Sequence, residues 1–163
     1  MERRSTMEQK TNVMRLLDGA HLPYQMHYYD APDGALSGVE VAQQLSQDPD
    51  HVFKTLVTTG ASGKHYVFMI PVAEELSLKK AATAAGEKSI AMLKSKDLLP
   101  LTGYVHGGCS PIGMKKSFPT FLDETAQLFE TIMFSAGKIG AQVEMAPDDL
   151  LRMIAYTLAD LTM

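Results

Sequence analysis

At 163 residues, with 45% hydrophobic and 21% charged residues, the chain has the size and composition of one globular domain, able to bury about two thirds of its unfolded surface. No apolar run reaches the ~18 residues a membrane span needs, and a net charge of -4 excludes broad, charge-driven coating of nucleic acid, so any RNA contact must be local. One cysteine, Cys109, excludes an internal disulfide and a multi-cysteine metal site.

The first ten residues are polar and without periodicity, so residues 1–10 read as a flexible tail before a domain over 11–163. No apolar stretch with a small-residue cleavage site follows them, and a cytoplasmic location is expected. Thr11 or Asn12 can cap a helix that carries Val13, Leu16, Leu17 and Ala20 at helical spacing and ends near Gly19 and Pro23. Tyr24 to Tyr29 reads as a strand, broken by the turn-rich Asp30-Ala31-Pro32-Asp33-Gly34. A second helix is predicted over Gly38 to Leu45.

Val52 to Thr59 and Tyr66 to Pro71 are apolar or β-branched runs around Gly60-Ala61-Ser62-Gly63, which predicts a hairpin of central strands. Ser77 to Gly86 and Ser95 to Leu99 read as helices, with a short strand in Ser89 to Leu93. Tyr104-Val105-His106 is a strand-like run into a glycine-rich loop, and Thr120 to Asp123 leaves it. Thr131 to Ser135 and Gln142 to Met145 read as late strands. Pro147 then starts a closing helix expected to reach about Leu161, with Asp148 and Asp149 in its first turn. This order fits neither a repeated βαβ sheet nor an antiparallel sandwich; it predicts an α/β fold, a mixed sheet or partly closed barrel surrounded by helices.

Two features carry chemistry. Gly107-Gly108-Cys109-Ser110-Pro111-Ile112-Gly113 can present bare backbone N–H groups to a ligand, with Lys115 and Lys116 just behind it. It matches neither the Walker loop nor the dinucleotide fingerprint, and a tight structural turn is the alternative reading. Lys54 stands among apolar neighbours in Val52-Phe53-Lys54-Thr55-Leu56-Val57, and burying an ammonium without a partner is costly. It is either an outward residue of a half-exposed strand or a cleft lysine that engages a phosphate or a carbonyl. Cys109 lacks an assignable histidine partner, and His21, His27, His51, His65 and His106 show no metal-ligand spacing, so neither a cysteine hydrolase nor a metal enzyme is expected.

Taken together, Phe53-Lys54-Thr55-Leu56, Met69-Ile70-Pro71-Val72, Leu78-Lys79-Lys80, the glycine loop and Ser135-Ala136-Gly137-Lys138 resemble the YbaK family of aminoacyl-tRNA deacylases, the prolyl-tRNA editing domains. The likeness runs from about Asn12 to Asp160 and is strongest to the branch that acts on Cys-tRNA(Pro) and Cys-tRNA(Cys). It implies a cleft for the 3′ end of mischarged tRNA, no cofactor or metal, and prolyl-tRNA synthetase as partner, without membrane or DNA binding. Lys54 matches the family's essential lysine. Tyr29, Thr55, Gly107 and Ser135 fall at pocket positions, and Gly108, Ser110 and Gly113 belong to the loop.

The implied mechanism is substrate-assisted: the cysteine substrate's own thiol attacks its ester carbonyl and leaves as a thiolactone, whereas related alanine editors activate water. One departure stands out, Gln142 where many cysteine-specific relatives have an aspartate; the amide keeps hydrogen bonding without the charge. A deacylase for another small amino acid such as alanine, and a non-catalytic module binding a nucleotide or tRNA 3′ end, remain the competing readings.

Overall fold

The structure is a computed structural model that describes residues 10–163. Of the expected tail, Met1 to Met7 and the two residues after it lie outside the described residues, and Lys10 pairs with Asp18.

Helix α1 (Asn12–Gly19) starts where the sequence predicts, because the Thr11 hydroxyl accepts a hydrogen bond from the Met14 N–H at 3.3 Å. Its Val13, Met14 and Leu17 are buried, each contributing roughly 1.5–3 kcal/mol of apolar transfer. Strand β1 (Gln25–Tyr28) follows. Helix α2 (Gly38–Gln44) opens on a reciprocal capping box, the Ser37 hydroxyl accepting from Glu40 N–H and the Ser37 N–H donating to the Glu40 carboxylate.

The hairpin strands are β2 (Phe53–Gly60) and β3 (His65–Pro71), paired antiparallel from Phe53↔Pro71 to Thr59↔His65. After them come α3 (Leu78–Ala85), β4 (Ile90–Met92), α4 (Ser95–Thr102), β5 (Thr120–Asp123), β6 (Ile132–Lys138), β7 (Ala141–Met145), α5 (Pro147–Met153) and β8 (Tyr156–Ala159).

The strands form two sheets, a mixed one of order β4-β2-β3-β5-β8 and an antiparallel one of order β1-β7-β6. They meet at a parallel bridge, Val52↔Met133, where the Met133 N–H donates to the His51 carbonyl at 3.1 Å. The expected mixed α/β architecture is therefore two sheets seamed at one corner. Between them lies the main core: Phe53, Met69 and Leu122 from one sheet, Ile132, Phe134, Val143 and Met145 from the other, and Val13 and Leu17 of α1. The opposite face of β3, Tyr66, Phe68 and Ile70, packs under Ala81 and Ala82 of α3. The period-2 alternation of β3 thus serves two cores.

Two expectations are corrected. The closing helix ends at Met153 rather than near Leu161: Ile154 turns extended, and Tyr156–Ala159 pairs in parallel with Thr120–Asp123. An unpaired β5 edge offers four residues of backbone hydrogen bonding that outweighs continued helix in solvent. The strand-like run Tyr104-Val105-His106 is loop, because no strand lies beside it and the Tyr104 hydroxyl is spent on the Ile112 carbonyl.

Candidate active site

The site arises where a strand loses its neighbour. On the edge opposite β3, β2 meets β6 at Val52↔Met133 and meets β4 only from Thr58↔Met92 onward. Between these attachments no strand among the described residues pairs with it. The Val57 carbonyl on this edge accepts from Leu93 N–H at 3.1 Å. Backbone groups two residues apart in a strand point to the same edge, so the N–H and C=O of Thr55 aim into the gap. The gap is a cavity of about 460 Å³, within the ordinary range for a small-ligand site.

Lys54, Thr55, Tyr29, Gly107 and Ser135 come together on this wall from β2, the end of β1, the glycine loop and β6. Lys54 is half-buried, and among the described residues its ammonium has no ion pair or hydrogen bond. Burial lowers its pKa, while the nearby carboxylates of Glu75 and Glu74 work in the opposite direction. A cation so placed favours an anion or a developing oxyanion in the cavity.

Thr55 Oγ1 and Gln142 Oε1 are buried side-chain oxygens without a hydrogen-bond partner, and both belong to this wall. Buried polar atoms are almost always satisfied, so two orphans on one cavity mark it as built for a ligand. Ser135 faces Gln142 across the β6–β7 ladder, and its hydroxyl accepts from Gly137 N–H at 3.2 Å. Tyr29 is fixed by its N–H bond to the Gly140 carbonyl at 3.0 Å.

The other loop residues stand behind the wall. A Cβ on Gly108 would come within 3.0 Å of the Ile139 nitrogen and 3.1 Å of the Lys138 backbone, so this glycine lets the loop lie on the β6–β7 turn. Gly107 has φ +87, and a side chain there would meet Ala35 at 2.5 Å. Ser110 is fully buried, its hydroxyl accepting from Ile112 N–H at 3.2 Å. Gly113 sits against Tyr104 and Asn12. Gly108, Ser110 and Gly113 therefore shape the loop and do not line the cavity. Cys109 does line it, but burial pushes its thiol up to about 12, so it is no thiolate near neutrality.

The α4 side of the cavity, Met92, Leu93, Ser95 and Leu98, is read in sequence only as strand and helix, not as part of a site. The available signal was the run of lysines and the scarcity of acids around it. Gln142, met in the sequence only as a departure, becomes a wall residue through its place on β7 opposite Ser135. Among the described residues, no group of three or more His, Cys, Asp or Glu side chains could hold a metal ion, and no helix is long and apolar enough to cross a membrane.

Comparison with known proteins points to one family. A model of the aminoacyl-tRNA editing domain matches residues 33–153. The Enterococcus faecalis protein EbsC, which carries the provisional name Cys-tRNA(Pro)/Cys-tRNA(Cys) deacylase, is 45% identical over 155 residues, spanning 95% of this chain and 94% of its own. A crystal structure described as a candidate trans-editing enzyme for prolyl tRNA synthetase superposes with TM-score 0.79 at 24% identity, over 95% of this chain and 99% of that one. That of a hypothetical protein reaches TM-score 0.84 at 20% identity, over 94% and 100%. With a family match over most of its length and a relative this similar, the chain belongs to the aminoacyl-tRNA editing domain family.

Proposed function

We propose that the protein is a trans-editing deacylase that removes cysteine from mischarged Cys-tRNA(Pro), and from Cys-tRNA(Cys), in the cytoplasm beside prolyl-tRNA synthetase. The observation that carries this reading is Lys54, a half-buried ammonium without a salt bridge among the described residues, on a cavity that also holds two orphan oxygens. The similarity to EbsC supports the cysteinyl substrate.

The tRNA 3′ end enters at the unpaired edge of β2. There the substrate's thiol sulfur bonds to the ester carbonyl carbon, the carbon–oxygen bond to the ribose breaks, and the thiol proton passes to the released ribose oxygen. The product is a thiolactone and deacylated tRNA. The protein supplies position and charge: Lys54 faces the developing oxyanion, while Thr55 and Gln142 offer hydrogen bonds that hold the aminoacyl end. No protein nucleophile is needed, which suits the neutral Cys109 thiol.

The test follows ester loss from separately prepared Cys-tRNA(Pro), Ala-tRNA(Pro) and Pro-tRNA(Pro) with the wild-type protein and Lys54→Ala. Cysteinyl ester is expected to disappear at a rate reduced about 100-fold or more in the variant, the scale of losing one oxyanion-stabilising group. Loss of the alanyl ester alone would move the chain to the water-activating editors. Binding of tRNA without turnover of any ester would make it a binding module.

A further inference from the structure

Two stretches of chain that line the cavity carry opposite charge. From Met92 to Phe118 the chain holds Lys94, Lys96, Lys115 and Lys116 against a single acid, Asp97. This segment supplies Met92, Leu93, Ser95, Leu98, His106 and Cys109 to the cavity wall. A second lining stretch, from Tyr29 to Val41, holds Asp30, Asp33 and Glu40 and no basic residue, and it supplies Tyr29, Leu36, Ser37 and Val41. The protein as a whole is net negative, so four lysines against one acid in a single lining segment run against its overall balance.

Local stability does not account for Lys94 and Lys96. They flank Ser95 at the start of α4, where the positive end of a helix disfavours cations, and no side chain caps that end. All four lysines are exposed, and among the described residues none forms an ion pair. Lys115 reaches the other end of the same helix: its N–H donates to the Thr102 carbonyl at 3.0 Å, and its aliphatic stem lies over Gly103. The lysines therefore bracket α4 from both ends, while Leu99 and Val105 between them stay 51% and 46% exposed.

We propose that α4 with Lys94, Lys96, Lys115 and Lys116 is the surface that receives the sugar-phosphate backbone of the tRNA acceptor arm, so that the polynucleotide leaves the cavity over this wall and away from Asp30, Asp33 and Glu40. The proposal rests on the editing reading above and gives it a direction. The phosphates meet the α4 wall, which leaves Lys54, on β2, for the ester end. The carbon stems of the lysines and the exposed Leu99 and Val105 give the ribose-phosphate chain a surface that is apolar between its charges. Recognition here is electrostatic and independent of sequence.

The experiment measures binding of an uncharged tRNA(Pro) transcript to the full chain across a series of potassium chloride concentrations. Wild type is compared with Lys94→Gln/Lys96→Gln, Lys115→Gln/Lys116→Gln and a control pair, Lys79→Gln/Lys88→Gln, from α3 and the turn after it, outside the Met92–Phe118 segment. Each phosphate contact contributes about 0.7–0.9 to the slope of log affinity against log salt, so each test pair is expected to lower the slope by roughly 1 to 2 and to weaken binding, with the control unchanged. Unchanged slopes in both test pairs, or an equal drop in the control, would overturn the proposal. Ester turnover is read separately. Lysine-dependent binding without Lys54-dependent turnover keeps the surface and rejects the deacylase, and the reverse pattern keeps the deacylase and rejects the surface.

Discussion

Thr55 and Gln142 belong to different sheets, yet each brings a buried oxygen without a partner to the same cavity wall. Their convergence is produced by the seam at Val52↔Met133, which holds β2 beside β6 and, through the β6–β7 ladder, beside Gln142. An unsatisfied buried oxygen weakens the free protein, so these atoms mark a place where stability and ligand binding are opposed. Thr55→Val removes the orphan with little change of shape. We expect the variant to be as stable as wild type or more stable by up to about 1 kcal/mol in urea unfolding, with a higher KM for the aminoacyl-tRNA. A clear loss of stability would mean that the hydroxyl has a structural partner.

Lys54 gives opposite pH trends for stability and activity. Burial depresses its folded-state pKa, so between that value and the ordinary lysine value the unfolded chain binds the proton better. Its contribution to stability therefore improves as pH rises through the depressed pKa. Activity that needs the ammonium falls over the same interval. Lys54→Met should abolish the activity limb and flatten that part of the stability profile, as followed by thermal unfolding and ester loss at matched pH.

Gly108 is expected to tolerate no side chain. In Gly108→Ala the new Cβ would press on the Ile139 nitrogen and the Lys138 backbone, neither of which is the end of a flexible side chain. Overpacking of this kind costs typically about 1–3 kcal/mol. Urea unfolding would show it as a lower midpoint at an unchanged slope. Deacylation should fall as well, since the loop carries Gly107 and Cys109 to the cavity.

A polar cluster on the small sheet governs the acid side. The Glu144 carboxylate bonds His27 Nε2 at 2.7 Å and accepts from the Thr131 hydroxyl at 2.5 Å, with His51 Nε2 at 3.7 Å. Burial raises its pKa, but the bonds from Thr131 and His27 and the two histidine charges outweigh burial and hold it below the ordinary value. A depressed carboxylate adds stability that is complete above the unfolded glutamate pKa and is lost as pH falls through the folded one. Glu144→Gln should therefore unfold more easily near neutrality, by about 1.5–3 kcal/mol, with a shallower decline in acid. An acid limb as steep as that of wild type would assign the effect to other carboxylates.

The residues that were legible in sequence are those whose signal is local. The Thr11 cap, the apolar and β-branched runs of β2 and β3 and the proline start of α5 depend on neighbours within a few positions, and they stand where the pattern puts them. Lys54 drew notice because a long cation in an apolar run conflicts with its surroundings. The strand Tyr156–Ala159 could not be read, because its sequence continues the helix pattern of α5 and only the open edge of β5 makes it extended. The structural roles of Gly108, Ser110 and Gly113 were equally hidden, since a glycine-rich loop has the same composition whether it faces a ligand or a neighbouring turn.

The sequence by itself determined the helix starts, the central hairpin, the family likeness and the awkward lysine, because propensity, capping and periodicity act over short spans. The tertiary structure alone decided where β2 lacks a partner and which side chains meet there. Those are relations between segments as distant as Thr55 and Gln142, and they are fixed by how two sheets pack over one core.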